Sequence, residues 1–233
     1  MGLYVSPEAG DNLFTYPNRV DLSVNNGRVT EVNSPNPVLH CATGGNVAGG
    51  YNGGGVGNKA ILGLDVLDGL GLASLVSLSW TYTNLTPYIP VFWPNPYANL
   101  IIDLLGTDVT YKVGVIDPQI APALSPGSSV LNPDGSTTWT WLAASNAMLL
   151  VGSPFVPVIP ITHGAGAYPA ASYSIADILS AYPAAKFRRR SSLDGGLPKT
   201  TVTPAFMIIE GDSGNNVNIT MRMGDILVNG ANV

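Results

Sequence analysis

The sequence predicts an all-β fold: an antiparallel sandwich of two sheets with one short helix near residues 175–182. Three observations point to it. Alternating apolar and polar stretches recur along the chain, the best being Ser74–Thr83, where Leu78, Trp80 and Tyr82 share one face and Ser77, Ser79 and Thr81 the other. Turn chemistry punctuates these stretches, with 27 glycines and 19 prolines in 233 residues. Long helical patterns do not alternate with the strands, which argues against a parallel α/β arrangement. Roughly ten to twelve short strands with no repeated unit make a jelly-roll-like sandwich the natural packing. The chain reads as one domain over 1–233, with N-terminal strands and a Gly-rich loop in 1–59 and the jelly-roll-like core in 60–233.

The elements follow in order. Val20–Val24 is a short strand, Asn26-Gly27 a hairpin signal, and Arg28–Val32 the return strand. Asn33–Pro37 is turn chemistry. Gly44–Asn58 holds eight glycines, which suits a loop or a backbone tucked against an assembly contact. Ala60–Leu67, Ser74–Thr83, Leu100–Leu105, Val109–Ile116 and Thr137–Leu142 read as strands. Asn84–Pro96 is a Pro/aromatic connection, and Asp117–Pro133 a loop ending in a tight turn at Asn132–Gly135. Ser174 caps a helix over Ile175–Ala181, with Asp177 in its first turn and Tyr182-Pro183 as its stop. Val202–Glu210, Val217–Met221 and Asp225–Val228 are the closing strands.

Composition narrows the functional classes. Hydrophobic residues make up 45% and charged residues 11%, against about 25% charged in ordinary soluble domains. The surface is therefore wetted by Asn, Ser, Thr and backbone groups, which suits extensive assembly contacts. A formal charge of −5 with only ten Lys and Arg argues against a nucleic-acid partner. The apolar stretch Ala60–Leu78 is broken by Gly63, Asp65, Asp68 and Gly71, so no membrane insertion is expected. Cys41 is the single cysteine, which rules out an intrachain disulfide. No signal peptide is visible at the start, and a disulfide-free, charge-poor chain suits an extracellular, cell-surface or virus-particle setting.

Four segments carry a family resemblance: Pro96-Tyr97-Ala98-Asn99-Leu100-Ile101-Ile102-Asp103, Thr138-Trp139-Thr140-Trp141, Ser174–Lys186 with its Ala176-Asp177-Ile178-Leu179-Ser180-Ala181-Tyr182-Pro183-Ala184-Ala185 core, and Met223–Gly230 with Asp225-Ile226-Leu227-Val228-Asn229-Gly230. Together they resemble a set of secreted bacterial and viral jelly-roll domains with an "ADILxAYPxA" helix and a closing "D-[NI]-x-x-V-N-G" strand. This chain departs from that pattern at Phe187–Thr201, which intervenes after the helix. The resemblance implies the fold and a surface or particle setting, with no catalysis attached.

Candidate sites follow from residue chemistry. Tyr88, Phe92, Trp93 and Tyr97 crowd the Pro-rich connection, where rings could stack on a glycan or anchor a partner. Arg188, Arg189 and Arg190 are a candidate anion contact, with a solvated loop as the simpler reading. Asp65, Asp68, Asp103 and Asp225 are weak calcium candidates; Asp108 reads more simply as a turn residue, and no other cofactor is implied. His40, Asp103 and Ser213 stand in the chain order of a chymotrypsin-like triad, with Gly211-Asp212-Ser213-Gly214 and His40-Cys41 echoing that family. Against this reading, Asn215-Asn216 replaces the usual Gly-Pro, and a single cysteine cannot form within the chain the disulfide expected beside the histidine. Glu210 is the best single candidate for glycan cleavage, and His163 reads as a loop histidine. The expectation is a non-enzymatic structural or adhesive component that associates with itself. A carbohydrate-binding module and a hydrolase are the alternatives.

Overall fold

The computed structural model describes residues 19–23, 27–41, 59–86, 95–107, 111–116, 127–151, 172–189, 204–210 and 218–233. Its fifteen described strands form two sheets, both antiparallel throughout. The first contains β1 (Arg19–Asp21), β4 (Ala60–Leu64), β6 (Tyr97–Asp103), β7 (Tyr111–Ile116), β10 (Met148–Val151), β11 (Ser172–Tyr173), β12 (Lys186–Phe187) and β13 (Phe206–Glu210), in the order β1-β4-β13-β6-β7-β10-β11 with β12 also on β6. The second contains β2 (Gly27–Thr30), β3 (Val38–Cys41), β5 (Ser77–Asn84), β8 (Ser128–Leu131), β9 (Thr137–Leu142), β14 (Ile219–Val228) and β15 (Ala231–Asn232), in the order β2-β3-β14-β5-β9-β8 with β15 on β14.

The winding is a jelly roll. Four antiparallel pairs are nested along the chain: β3 with β14, β4 with β13, β5 with β9, and β6 with β7. These pairs distribute into the cores β3-β14-β5-β9 and β4-β13-β6-β7, one per sheet. The N-terminal strand β3 is thus part of the sandwich and lies beside β14.

Between the sheets lies one continuous apolar core. Trp80, Trp141, Leu78, Leu100, Ile102, Phe206, Met221 and Ile226 are all fully buried in it. Trp80 Nε1 donates to Pro96 O at 3.1 Å and Trp141 Nε1 to Ala147 O at 3.1 Å, so neither indole buries an unmet donor. The first sheet is also apolar on its other side, where Leu22, Ile61, Tyr97, Ile101, Val115, Met207 and Ile209 form a second buried cluster. This explains why β6 is apolar on both faces: Ala98, Leu100 and Ile102 face the partner sheet, while Tyr97 and Ile101 face outward into the second cluster.

Several elements match the sequence reading closely. β9 and the helix α1 (Ile175–Ala181) have the expected bounds, and Ser174 and Asp177 form a reciprocal capping box. Other expectations are corrected. Asn26-Gly27 does not join a hairpin, because β1 pairs with β4 in the first sheet while β2 pairs with β3 in the second. Asp21 sits at this crossing, its two carboxylate oxygens accepting from Ser23 N and Val29 N. The hairpin turn lies instead between Thr30 and Val38, where Glu31 takes a positive φ. The stretch 117–133 is not loop throughout, since Ser128–Leu131 forms β8. The last strands merge into one long β14, whose register shifts between Met223 and Ile226, so Gly224 and Asp225 form a bulge inside it. The Gly44–Asn58 tract, apart from its sequence, lies outside the described residues.

Candidate functional site

The charged candidates are consumed by the fold. In β12, Lys186 stands opposite Asp103 of β6, donates from Nζ to Gly106 O at 2.8 Å, and leaves Asp103 Oδ1 to accept from Gly106 N at 3.0 Å. Two residues on, Arg189 N donates to Asp68 Oδ1 at 2.9 Å, and its Nε stands 3.2 Å from Asp68 Oδ2. Its Nη1 is 4.0 Å from Asp65 Oδ2, and the Asp65 side chain is only 4% exposed. Arg188 N donates to Ile101 O. The arginine run therefore ties the 65–72 segment to β6, and the Arg189 guanidinium faces two carboxylates instead of an open anion site. Arg190 lies outside the described residues.

The same bonds distribute the calcium candidates. Asp65 and Asp68 share Arg189, Asp103 holds the turn at Gly106, and Asp225 accepts from Asn232 Nδ2 at 3.0 Å in the second sheet. Among the described residues, no three His, Cys, Asp or Glu side chains gather as a group able to hold a metal.

The histidine and aspartate of the suggested triad stand on opposite outer surfaces of the sandwich. His40 points from β3 to the solvent side of the second sheet, because its neighbours Leu39 and Cys41 face the core. Its Nε2 lies 3.0 Å from Thr30 Oγ1 and its Nδ1 3.3 Å from Thr220 Oγ1. Burial lowers its pKa first, the charge of Arg28 second, and Glu31 opposes both. Asp103 belongs to the Tyr97/Ile101 side of β6 in the first sheet. Two layers of β-structure separate the pair, so the imidazole–carboxylate contact of a triad is not made. Ser213 and His163 lie outside the described residues; Glu210 ends β13.

Of the aromatic set, Tyr88, Phe92 and Trp93 lie outside the described residues. The end of their connection is anchored: Pro96 O accepts from Trp80, and Asn95 Oδ1 accepts from the Tyr82 hydroxyl. Tyr97 is buried in the outer cluster of the first sheet, so its ring is not an open stacking platform.

The feature that residue-by-residue reading missed is β8. It closes the order of the second sheet and pairs only with β9 among the described strands. All four of its residues are exposed, Val130 at 60% and Leu131 at 74%. None of the four is charged. Two other edges, those of β2 and β11, are closed by the chain itself. On β2, Val29 N donates to Asp21 Oδ2, and Gly27 lies against the Lys59 carbonyl with no room for a Cβ. On β11, Ser172 and Tyr173 are both buried. The signal for β8 was present: the turn at Asn132–Gly135 precedes a clear strand and therefore requires another before it. That turn is built as expected, with Asn132 N donating to Ser136 O and Asp134 accepting from Ser136 N and Oγ.

No family model, curated protein or solved structure matches the chain. The likeness to secreted and viral jelly-roll domains rests on the four sequence segments alone.

Proposed function

We propose that the protein is a non-enzymatic structural subunit of an extracellular surface or virus particle, and that it assembles by pairing β8 with β8 of a second copy. The observation that carries this reading is the open edge. A strand at a sheet margin presents unpaired N–H and C=O groups, and proteins ordinarily blunt such margins with charge, proline or cover. Here β2 and β11 are closed, whereas β8 is exposed and uncharged and displays Val130 and Leu131. A two-fold pairing sets each residue of β8 against the same four-residue strand, so like charges would face one another; with none present, the homotypic edge meets no repulsion. Leu142 and Val76, both exposed near the end of β9, add apolar area on the same sheet. The jelly-roll winding is shared with capsid and lectin domains, an analogy of fold that agrees with this reading.

Sedimentation of the wild type and of Ser129→Pro tests it. In the β8–β9 register Val130 N–H faces β9 and Ser129 N–H faces the open edge, so proline at 129 removes an edge donor without touching the β8–β9 ladder. The expected result is a concentration-dependent oligomer for the wild type and a monomer of unchanged circular dichroism for the variant. A wild-type chain that stays monomeric at every concentration overturns the proposal. Oligomers unaffected by Ser129→Pro and by Val130→Lys also overturn it.

A further inference from the structure

We infer that the solvent face of the second sheet around His40 is a binding site for an oxyanion group, held between Arg28 and Arg222. The register places these residues. One row across the sheet reads Arg28, His40, Thr220, and the next on the same face reads Thr30, Val38, Arg222, Thr83. Strand spacing and rise put the two arginine Cα atoms about 12 Å apart. Side chains leaning toward one another can close on a ligand across that distance. His40 lies between them with Thr30 and Thr220 hydroxyls on its ring.

Among the described residues, what sets these arginines apart is that both are exposed and neither is engaged in an ion pair. Arg19 is fully buried and donates to Ser34 O and Val233 O. Lys186 donates to Gly106 O, and Arg189 faces Asp65 and Asp68. Arg28 and Arg222 are both exposed, and neither makes an ion pair among the described residues. Among the described residues Glu31 is the acidic group that acts on His40, and Arg28 outweighs it. The local potential is therefore positive in a chain whose formal charge is −5. A planar guanidinium presents paired donors that match sulfate, phosphate or carboxylate oxygens, and Thr83, in register with Arg222, adds a hydroxyl on the same surface.

The test is calorimetric titration of the folded protein with inorganic pyrophosphate, with dextran sulfate and with neutral dextran. Binding of pyrophosphate or dextran sulfate, without binding of neutral dextran, is expected. Dextran sulfate alone assigns the site to anionic glycans; pyrophosphate alone assigns it to free anions. Arg28→Gln and Arg222→Gln should each lower affinity about tenfold, the loss expected for one charge-assisted hydrogen bond, and the double variant should abolish binding. Both side chains are exposed, so thermal unfolding should not change. Ser129→Pro should leave anion binding intact, which separates this site from the assembly edge. Failure of both anionic probes to bind, or binding that survives in the double variant, overturns the inference.

Discussion

Arg19 and Val233 are joined directly: the guanidinium Nη2 donates to the main-chain oxygen of Val233, a residue 214 positions away. Its Nη1 donates to Ser34 O at 2.9 Å, and the whole side chain is buried. One cation thus stitches the start of the first sheet to the β2–β3 turn and to the segment after β15. Replacing it with methionine removes donors from two main-chain oxygens. Arg19→Met should lower the unfolding free energy by about 2–4 kcal/mol, measured by urea denaturation. Arg19→Lys should recover only part of this, because a single ammonium lacks the fork that reaches both oxygens.

His40 predicts a pH dependence with a definite sign. Burial and Arg28 hold its pKa below the ordinary 6.5. The unfolded chain therefore binds the proton more tightly than the folded one, and the stability contributed by neutral His40 is complete above 6.5 and lost as pH falls below it. Denaturation midpoints measured between about pH 7.5 and pH 5.5 should fall for the wild type, and less for His40→Gln. A steeper fall in the variant would contradict the assignment.

The helix α1 depends on its N-cap. Ser174 Oγ accepts from Asp177 N at 3.1 Å, and Asp177 Oδ2 accepts from Ser174 N at 3.0 Å. Ser174→Ala removes one of these bonds and should reduce stability by about 1 kcal/mol. Ser174→Asp, which keeps an acceptor there, should cost less. Both are read from thermal or urea unfolding.

Gly63 in β4 is a packing point on the outer side of the first sheet. A Cβ there would meet Pro204 Cγ at 2.5 Å and Val20 Cγ1 at 2.9 Å. Gly63→Ala must push apart side chains flanking β13 and β1, and should destabilise by about 1–3 kcal/mol. Gly135, at the β8–β9 turn, has positive φ and open space around it. Gly135→Ala should lose less, through backbone strain alone.

The legibility of this fold in its sequence followed the range of the forces involved. The helix at Ile175–Ala181 and strand Thr137–Leu142 were readable because a cap, a proline stop and a two-residue period are local signals. Asn26-Gly27 misled because a good turn dipeptide does not decide which strand its neighbours join; β1 and β2 each found a better partner elsewhere. The site was less readable still. Thr220, which holds the His40 ring, is 180 residues away, and the Arg28–Arg222 pairing exists only through the β2-β3-β14 register. The arginine triplet was the visible charge in the sequence, yet Arg189 is engaged by Asp65 and Asp68, whose spacing carried no sign of it.

The nested pairing also constrains synthesis. β3 and β4 emerge early, but their partners β14 and β13 are the last long strands of the described chain. Until those strands are made, β6 lacks its neighbour β13, the inner cluster lacks the residues of β13 and β14, and the outer cluster lacks Met207 and Ile209. Long-range closure of this kind is slow and exposes the chain to aggregation until it completes. A ribosome-stalled intermediate lacking β13 and β14 should therefore bind chaperones and be cut readily by protease, and release of the final strands should confer protection in a single step.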